Sequence, residues 1–268
     1  MKADVISLKG EKKGSIDLPD QFEEIIRPDL VKRSVLAIEN NNRQPYGTNL
    51  FAGLRTSAQY QGRRASYGTW ANRALHRTQR IRIGSGYITG RARKVPGVVK
   101  GRKAHPPKTE KIYSQKINKK ENRLAIRSCI SATAEIELVT KRGHELGKIS
   151  QLPLIIETPI EKIGKTKDLL NILKTIGISE DIERCSEKKI RSGKGTMRGR
   201  KHKIKTGALI VVEKNDGIAE AAGNILGIDV IEVTNLNAKA LAPGTHIGRL
   251  TIWSESAIEK MKKEKLFI

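Results

Sequence analysis

The chain has 268 residues, 37% hydrophobic and 30% charged, and its 52 Lys+Arg against 28 Asp+Glu give a formal charge of +24. That apolar content supports the core of one large domain or two small ones, whereas so large an excess charge opposes compaction by self-repulsion and calls for a polyanionic partner, nucleic acid first among them. Two cysteines, Cys129 and Cys185, exclude a disulfide framework and read as small buried hydrophobes. No 18-residue apolar run is present for a membrane span, and the Met1-Lys2-Ala3-Asp4 start lacks the apolar stretch of a secretory signal, so a cytoplasmic chain without membrane contact is expected.

In chain order, residues 5–8 and 15–18 predict a strand pair around a Gly/Lys turn. Pro28 opens a helix that places Leu30, Val31, Ser34, Val35 and Ile38 at helical spacing, and Asn40-Asn41-Asn42 ends it. Residues 43–108 break the pattern. They carry 15 Lys/Arg, nine glycines and no Asp or Glu, and their apolar residues follow neither a helical nor a strand period. Six of the ten aromatics of the chain lie here: Tyr46, Phe51, Tyr60, Tyr67, Trp70 and Tyr87. A loop this long inside a compact domain is functional or disordered, and its aromatic content predicts a segment ordered by its partner.

From 109 onward the pattern is globular again. Asn118 with Glu121 predicts a capping box for a helix presenting Ile126, Cys129, Ile130, Thr133 and Ile136. Residues 152–156 and 209–212 are apolar runs of strand length, and 230–233 and 250–253 are predicted as a third and a fourth strand. Between and after them come helices over 165–176, stopped by Gly177, over a stretch capped by Asp216 that presents Ile218, Ala221, Ala222 and Ile225, and over 256–263. Strands apolar on both faces and alternating with helices predict an α/β fold whose mainly parallel sheet is covered on both sides.

A second basic window, residues 184–205, has ten Lys/Arg and the single acid Glu187. Setting both windows aside removes 25 basic residues and one acid and leaves 27 of each, so all the excess charge belongs to these two segments. Arg outnumbers Lys by 11 to 4 in the first window, as suits bidentate phosphate contact and stacking on base faces. Glycine permits close backbone approach, and Tyr and Trp offer faces for unpaired bases, so irregular RNA is the expected target.

The candidate contacts of the first window are Arg55, Arg63, Arg64, Arg73, Arg77, Arg80 and Arg82, followed by Arg91, Arg93, Lys94, Arg102, Lys103 and Lys108. Those of the second are Lys188, Lys189, Arg191, Lys194, Arg198, Arg200 and Lys201. If the first window folds back once near its midpoint, Tyr67, Trp70 and His76 stand at its tip, suited to base stacking or to lining an aqueous passage. Catalytic readings fare poorly. Gly193-Lys194-Gly195-Thr196 lacks the Gly-Lys-Ser/Thr and upstream glycine of a phosphate loop, the five histidines stand far apart, and no metal-ligand spacing, cofactor motif or nucleophile elbow occurs. No enzyme activity, metal or cofactor is expected.

The residues then resemble a known family. Tyr46-Gly47-Thr48, Ala52-Gly53-Leu54-Arg55-Thr56, Gly90-Arg91-Ala92-Arg93-Lys94-Val95-Pro96 and Gly101-Arg102-Lys103-Ala104-His105-Pro106-Pro107-Lys108 are similar to the loop of the L-four family of large-subunit ribosomal proteins. Ser192-Gly193-Lys194-Gly195 with Arg198-Gly199-Arg200-Lys201 resembles its second basic motif, and Leu241-Ala242-Pro243-Gly244 with Arg249-Leu250-Thr251-Ile252-Trp253 its C-terminal end. The resemblance is to the archaeal form, and 61–87 departs most from the pattern.

It implies a single three-layer α/β/α domain, residues 1–42 plus 109–268, with the long extended basic loop 43–108 inserted. It further implies binding to large-subunit rRNA, neighbouring ribosomal proteins as partners, and a loop tip that meets the nascent polypeptide in the exit tunnel. Carried over by motif, Arg55, Arg91, Arg93, Lys94, Arg102 and Lys103 would grip rRNA along the loop, and Lys194, Arg198, Arg200 and Lys201 near the subunit surface. A free RNA-binding regulatory module is the rival reading.

Overall fold

The computed structural model describes residues 1–63, 69–82, 89–147, 149 and 151–268. The chain divides into two units, Met1–Asn42 with Ser114–Ile268, and Arg43–Tyr113.

The first unit is built on a six-stranded sheet. Strands β1 (Lys2–Ile6) and β2 (Lys12–Asp17) form an antiparallel pair, with Asp4 opposite Ser15. Strands β3 (Leu154–Ile156), β6 (Leu209–Val212), β7 (Asp229–Glu232) and β8 (Thr251–Ser254) add to it in parallel, in the order β2-β1-β3-β8-β6-β7. β3, β6 and β8 are buried along their whole length, which is why β3 and β6 read in sequence as unbroken apolar runs; β8 buries Thr251 and Ser254 with Ile252 and Trp253.

The strand period of two sends alternate residues to opposite faces. Val5, Ile155, Leu209, Val211 and Trp253 face a core with helices α1 (Pro28–Asn41), α2 (Lys119–Ala134), the short α7 (Ala238–Leu241) and α8 (Glu255–Lys263). Leu154, Ile156, Ile210, Val212 and Ile252 face a second core with α4 (Thr166–Ile176) and α6 (Ile218–Ala222), and Val139 of α3 (Ile136–Arg142) joins it. The unit is a three-layer α/β/α sandwich, as the sequence predicts. Trp253 is fully buried and meets the edge of Phe22 at 5.3 Å between centroids. Truncating so large a core side chain to Ala costs about 3–5 kcal/mol.

Several local expectations change. Asn118 precedes α2 but makes no side-chain cap bond, and Glu121 instead pairs with Arg33 at 2.8 Å while Asn122 Oδ1 accepts from Ser34 Oγ at 2.7 Å. A link between α1 and α2 thus replaces the capping box. Ile136 is not on the inner face of α2: the chain turns extended at Glu135, and Ile136 starts α3 half exposed. Asn215, not Asp216, supplies the oxygen that accepts from Ala219 N at 3.1 Å before α6. Gly177, by contrast, ends α4 in the left-handed region at φ 101°, with its N–H donating to the carbonyl of Lys174. Cys129 and Cys185 are buried and unpaired, and burial pushes the Cys129 thiol up to about 12. Among the described residues no helix is long and apolar enough to cross a membrane.

Candidate nucleic-acid interface

The unit Arg43–Tyr113 has little regular structure and takes its shape from backbone pairing between distant runs. Thr48 N–H donates to Pro107 O, Gln59 and Arg80 exchange two backbone bonds at 3.0 and 3.1 Å, and Ile81 and Arg93 N–H donate to Arg91 O and Gln79 O. Three short runs around residues 59, 80 and 92 therefore lie side by side and antiparallel. Among the described residues the segment thus doubles back within 59–92, where the sequence predicts a single reversal between two long arms. Close approach near 53 and 101 demands glycine. A Cβ on Gly53, whose φ is +77°, would stand 2.6 Å from Arg102 N, and one on Gly101 would stand 2.2 Å from Val95 O.

A small interior follows, with Ala58, Thr78 and Ile81 buried and Trp70 half-buried. The guanidinium groups of Arg73 and Arg80 lie 5.5 and 6.0 Å from the Trp70 ring centroid. Arg80 also donates to Gly90 O at 2.8 Å and His76 O at 3.1 Å, and Arg93 donates to Val99 O at 2.6 Å. Arg80 and Arg93 thus knit the unit together. Arg55, Arg63, Arg73, His76, Arg77, Arg82, Arg91, Arg102, Lys103 and Lys108 are exposed, and Lys94 is partly so. Arg55 also donates to Asn49 Oδ1 at 3.3 Å. Arg64 and Tyr67 lie outside the described residues.

The second basic segment is a hairpin between α5 (Ser179–Ser186) and β6. Its strands β4 (Lys189–Ile190) and β5 (His202–Lys203) pair antiparallel, and Arg191 N–H continues the ladder to Lys201 O at 2.8 Å. The turn is shaped by Gly193 at φ +83° and Gly199 at φ +78°, and Thr196 Oγ1 donates to Arg191 O at 2.6 Å. Lys188, Lys189, Arg191, Lys194, Arg198, Arg200 and Lys201 are all exposed on this frame. Neither composition nor spacing signalled strands here.

Both ends of the hairpin are tied down. Arg184, at the end of α5, donates to Asp181 and, at 2.8 Å, to Thr206 O just before β6, while His144 Nδ1 lies 3.1 Å from Asp181 Oδ1. Burial pushes His144 below its ordinary value; burial raises Asp181, but His144 and Arg184 outweigh it and hold that carboxyl low. Elsewhere, Arg249 is buried and donates to Gly207 O and Ala240 O at 2.9 Å, an arginine of the C-terminal motif used for the core. Glu161 fills the strand-end crevice in which open α/β sheets place ligands, where it accepts from Glu213 N, Ser254 Oγ and Ser256 Oγ. Among the described residues no group of three His, Cys, Asp or Glu is placed to hold a metal.

An α/β sandwich carrying a basic unit whose one acid is Glu110, and a basic hairpin, defines a protein with polycationic accessory segments. The chain belongs to the ribosomal protein L4/L1 family, whose profile matches residues 16–264. It is 46% identical over 261 residues to the large ribosomal subunit protein uL4 of Methanosphaera stadtmanae, covering 97% of this chain and 96% of the relative. The protein of the same name from Methanococcoides burtonii is also 46% identical over 97% of both chains. That of Halobacterium salinarum is 41% identical over 97% of this chain and 99% of its own. The archaeal resemblance drawn from the loop motifs agrees with these relatives.

Proposed function

We propose that the chain is a structural constituent of the large ribosomal subunit, working in the cytoplasm, that binds rRNA through residues 43–108 and 184–205. The observation that carries this reading is the confinement of the entire excess charge to two segments, on a chain whose named relatives are large-subunit proteins over nearly their full length. Exposed Arg and Lys with the single carboxylate Glu187 among them attract phosphate rather than balance the fold. Glycine-shaped backbone in both segments allows contact with an irregular RNA surface.

In this reading the more distal part of the 43–108 segment lines part of the exit tunnel and meets the nascent polypeptide, and neighbouring ribosomal proteins contact the rest. Family membership supports a role in architecture, with no catalytic step assigned to the chain. The test is sedimentation of the endogenous protein in sucrose gradients. Co-migration with large subunits through a high-salt wash is expected. Recovery only in a light fraction bound to a discrete mRNA would replace this reading with a free regulatory module.

A further inference from the structure

The described residues of Arg43–Tyr113 hold one arrangement that lies partly outside the charge-defined window. The rings of Tyr46 and Tyr113 are 6.4 Å apart between centroids and 13° from parallel. Arg43 Cζ stands 4.4 Å from the Tyr113 centroid and 5.5 Å from that of Tyr46, and Lys111 Nζ is 5.5 Å from Tyr113. Lys103, His105, Lys108 and Lys111 line the same hollow, with Glu110 the one carboxylate in its lining. Tyr46 is 52% exposed.

Apolar packing does not account for these rings, because a tyrosine recruited to a core loses most of its exposure. Cation–π contact aligns them instead, and Arg43 keeps its in-plane N–H donors while its face rests on the aromatic groups. The outcome is a flat π surface open to solvent and bordered by cations. An acidic peptide would satisfy the cations but offers no planar group for the ring. An unpaired nucleotide offers both, a base of matching flatness and a phosphate on either side.

We infer that Tyr46, aligned by Tyr113 and Arg43, is a stacking site for one unpaired rRNA base, with the adjoining phosphates held by Lys103, Lys108 and Lys111. The inference rests on the reading of the chain as an rRNA-binding subunit protein and adds a specific site to it.

The experiment uses the full-length chain and a large-subunit rRNA transcript containing 4-thiouridine. Photo-cross-linked peptides are mapped, and affinity is measured across a salt series for Tyr46→Phe, Tyr46→Leu and Lys108→Ala. A nucleotide adduct on Tyr46 is expected. Tyr46→Phe keeps the wild-type affinity, since stacking needs the ring and not the hydroxyl. Tyr46→Leu weakens binding about 5- to 150-fold, the range set by the loss of one base stack, without changing the salt slope.

Lys108→Ala also weakens binding, and unlike Tyr46→Leu it makes the slope shallower by about 1. A Tyr46→Leu chain that binds like wild type, with no adduct at Tyr46 while wild type binds the transcript, overturns the site and leaves the general function standing. Failure of Tyr46→Phe to bind, with thermal stability retained, also overturns it, because the hydroxyl and not the ring would then be the contact. A wild-type chain that does not bind the transcript at low salt overturns the function itself and the site with it.

Discussion

Arg184 donates to Asp181 Oδ1 at 2.9 Å through Nε within α5, and its Nη2 donates to Thr206 O at 2.8 Å, beyond the basic hairpin. The Asp181 side chain is 1% exposed, as is that of His144 on its other side. Removing one partner of a buried ion pair leaves an uncompensated charge and costs about 3–5 kcal/mol. Asp181→Ala should therefore destabilise the first unit by that amount in chemical denaturation, and the same cluster sets a pH dependence. His144 is held below its ordinary value of 6.5 by burial, so below about pH 6.5 the unfolded state takes up a proton that the folded state resists. Stability should fall as pH drops through that window, and Asp181, held below 3.8, adds a further loss at lower pH. His144→Gln should flatten the decline between pH 6.5 and the lower carboxylate window; an unchanged slope would place the titration elsewhere.

Gly53 packs against the backbone of Arg102 so closely that an added Cβ would meet it. Gly53→Ala must be accommodated both at φ +77° and against Arg102 N at 2.6 Å, and the left-handed conformation alone costs roughly 1–2 kcal/mol. The substitution should open residues 43–108 to trypsin at several-fold lower protease concentration while the melting of the α/β unit stays within a degree or so of wild type. Equal loss of both would show that the two units fold as one.

Salt dependence measures how many charges meet phosphate. If about ten of the basic residues do so, log K should fall against log[salt] with a slope of roughly −7 to −9. Lys194→Ala, Arg198→Ala and Lys201→Ala together remove three exposed charges from a hairpin whose backbone bonds they do not make through their side chains. The slope should become shallower by about 2–3. A wild-type slope shallower than about −3 would mean that most of these cations remain solvated in the complex.

Residues 72–77 form an exposed stretch with Asn72 and Ala74 at positive φ, between the partly buried Trp70 and Ala71 and the buried Thr78. Replacing 72–77 by a Gly/Ser linker spares the Gln59–Arg80 pairing. We expect such subunits to assemble and to show altered nascent-chain passage or altered sensitivity to tunnel-binding antibiotics. Cryo-electron microscopy that places 72–77 on the solvent face, away from the peptide path, would remove the tunnel assignment.

The sequence by itself determined the mainly parallel sheet, helices α1, α2, α4, α6 and α8 of its covering layers and the two segments that carry the excess charge, but not the short α3, α5 and α7. Those features are written locally: β3 and β6 are apolar on both faces because both faces are covered, and Gly177 stops a helix through its own φ. Tertiary structure decided which of the chemically equivalent cations face inward. Arg80, Arg93 and Arg249 satisfy backbone carbonyls contributed by distant residues, whereas Arg55 and Arg102 remain exposed. It also brought Arg43 and Tyr113 together from opposite ends of the basic unit and folded 189–203 into a hairpin that no apolar alternation announced. A guanidinium carries the same charge and donors wherever it stands in the chain. Its role is set by which carbonyls, rings or solvent the fold brings within about 3 to 6 Å of it, and that distance is a property of three dimensions.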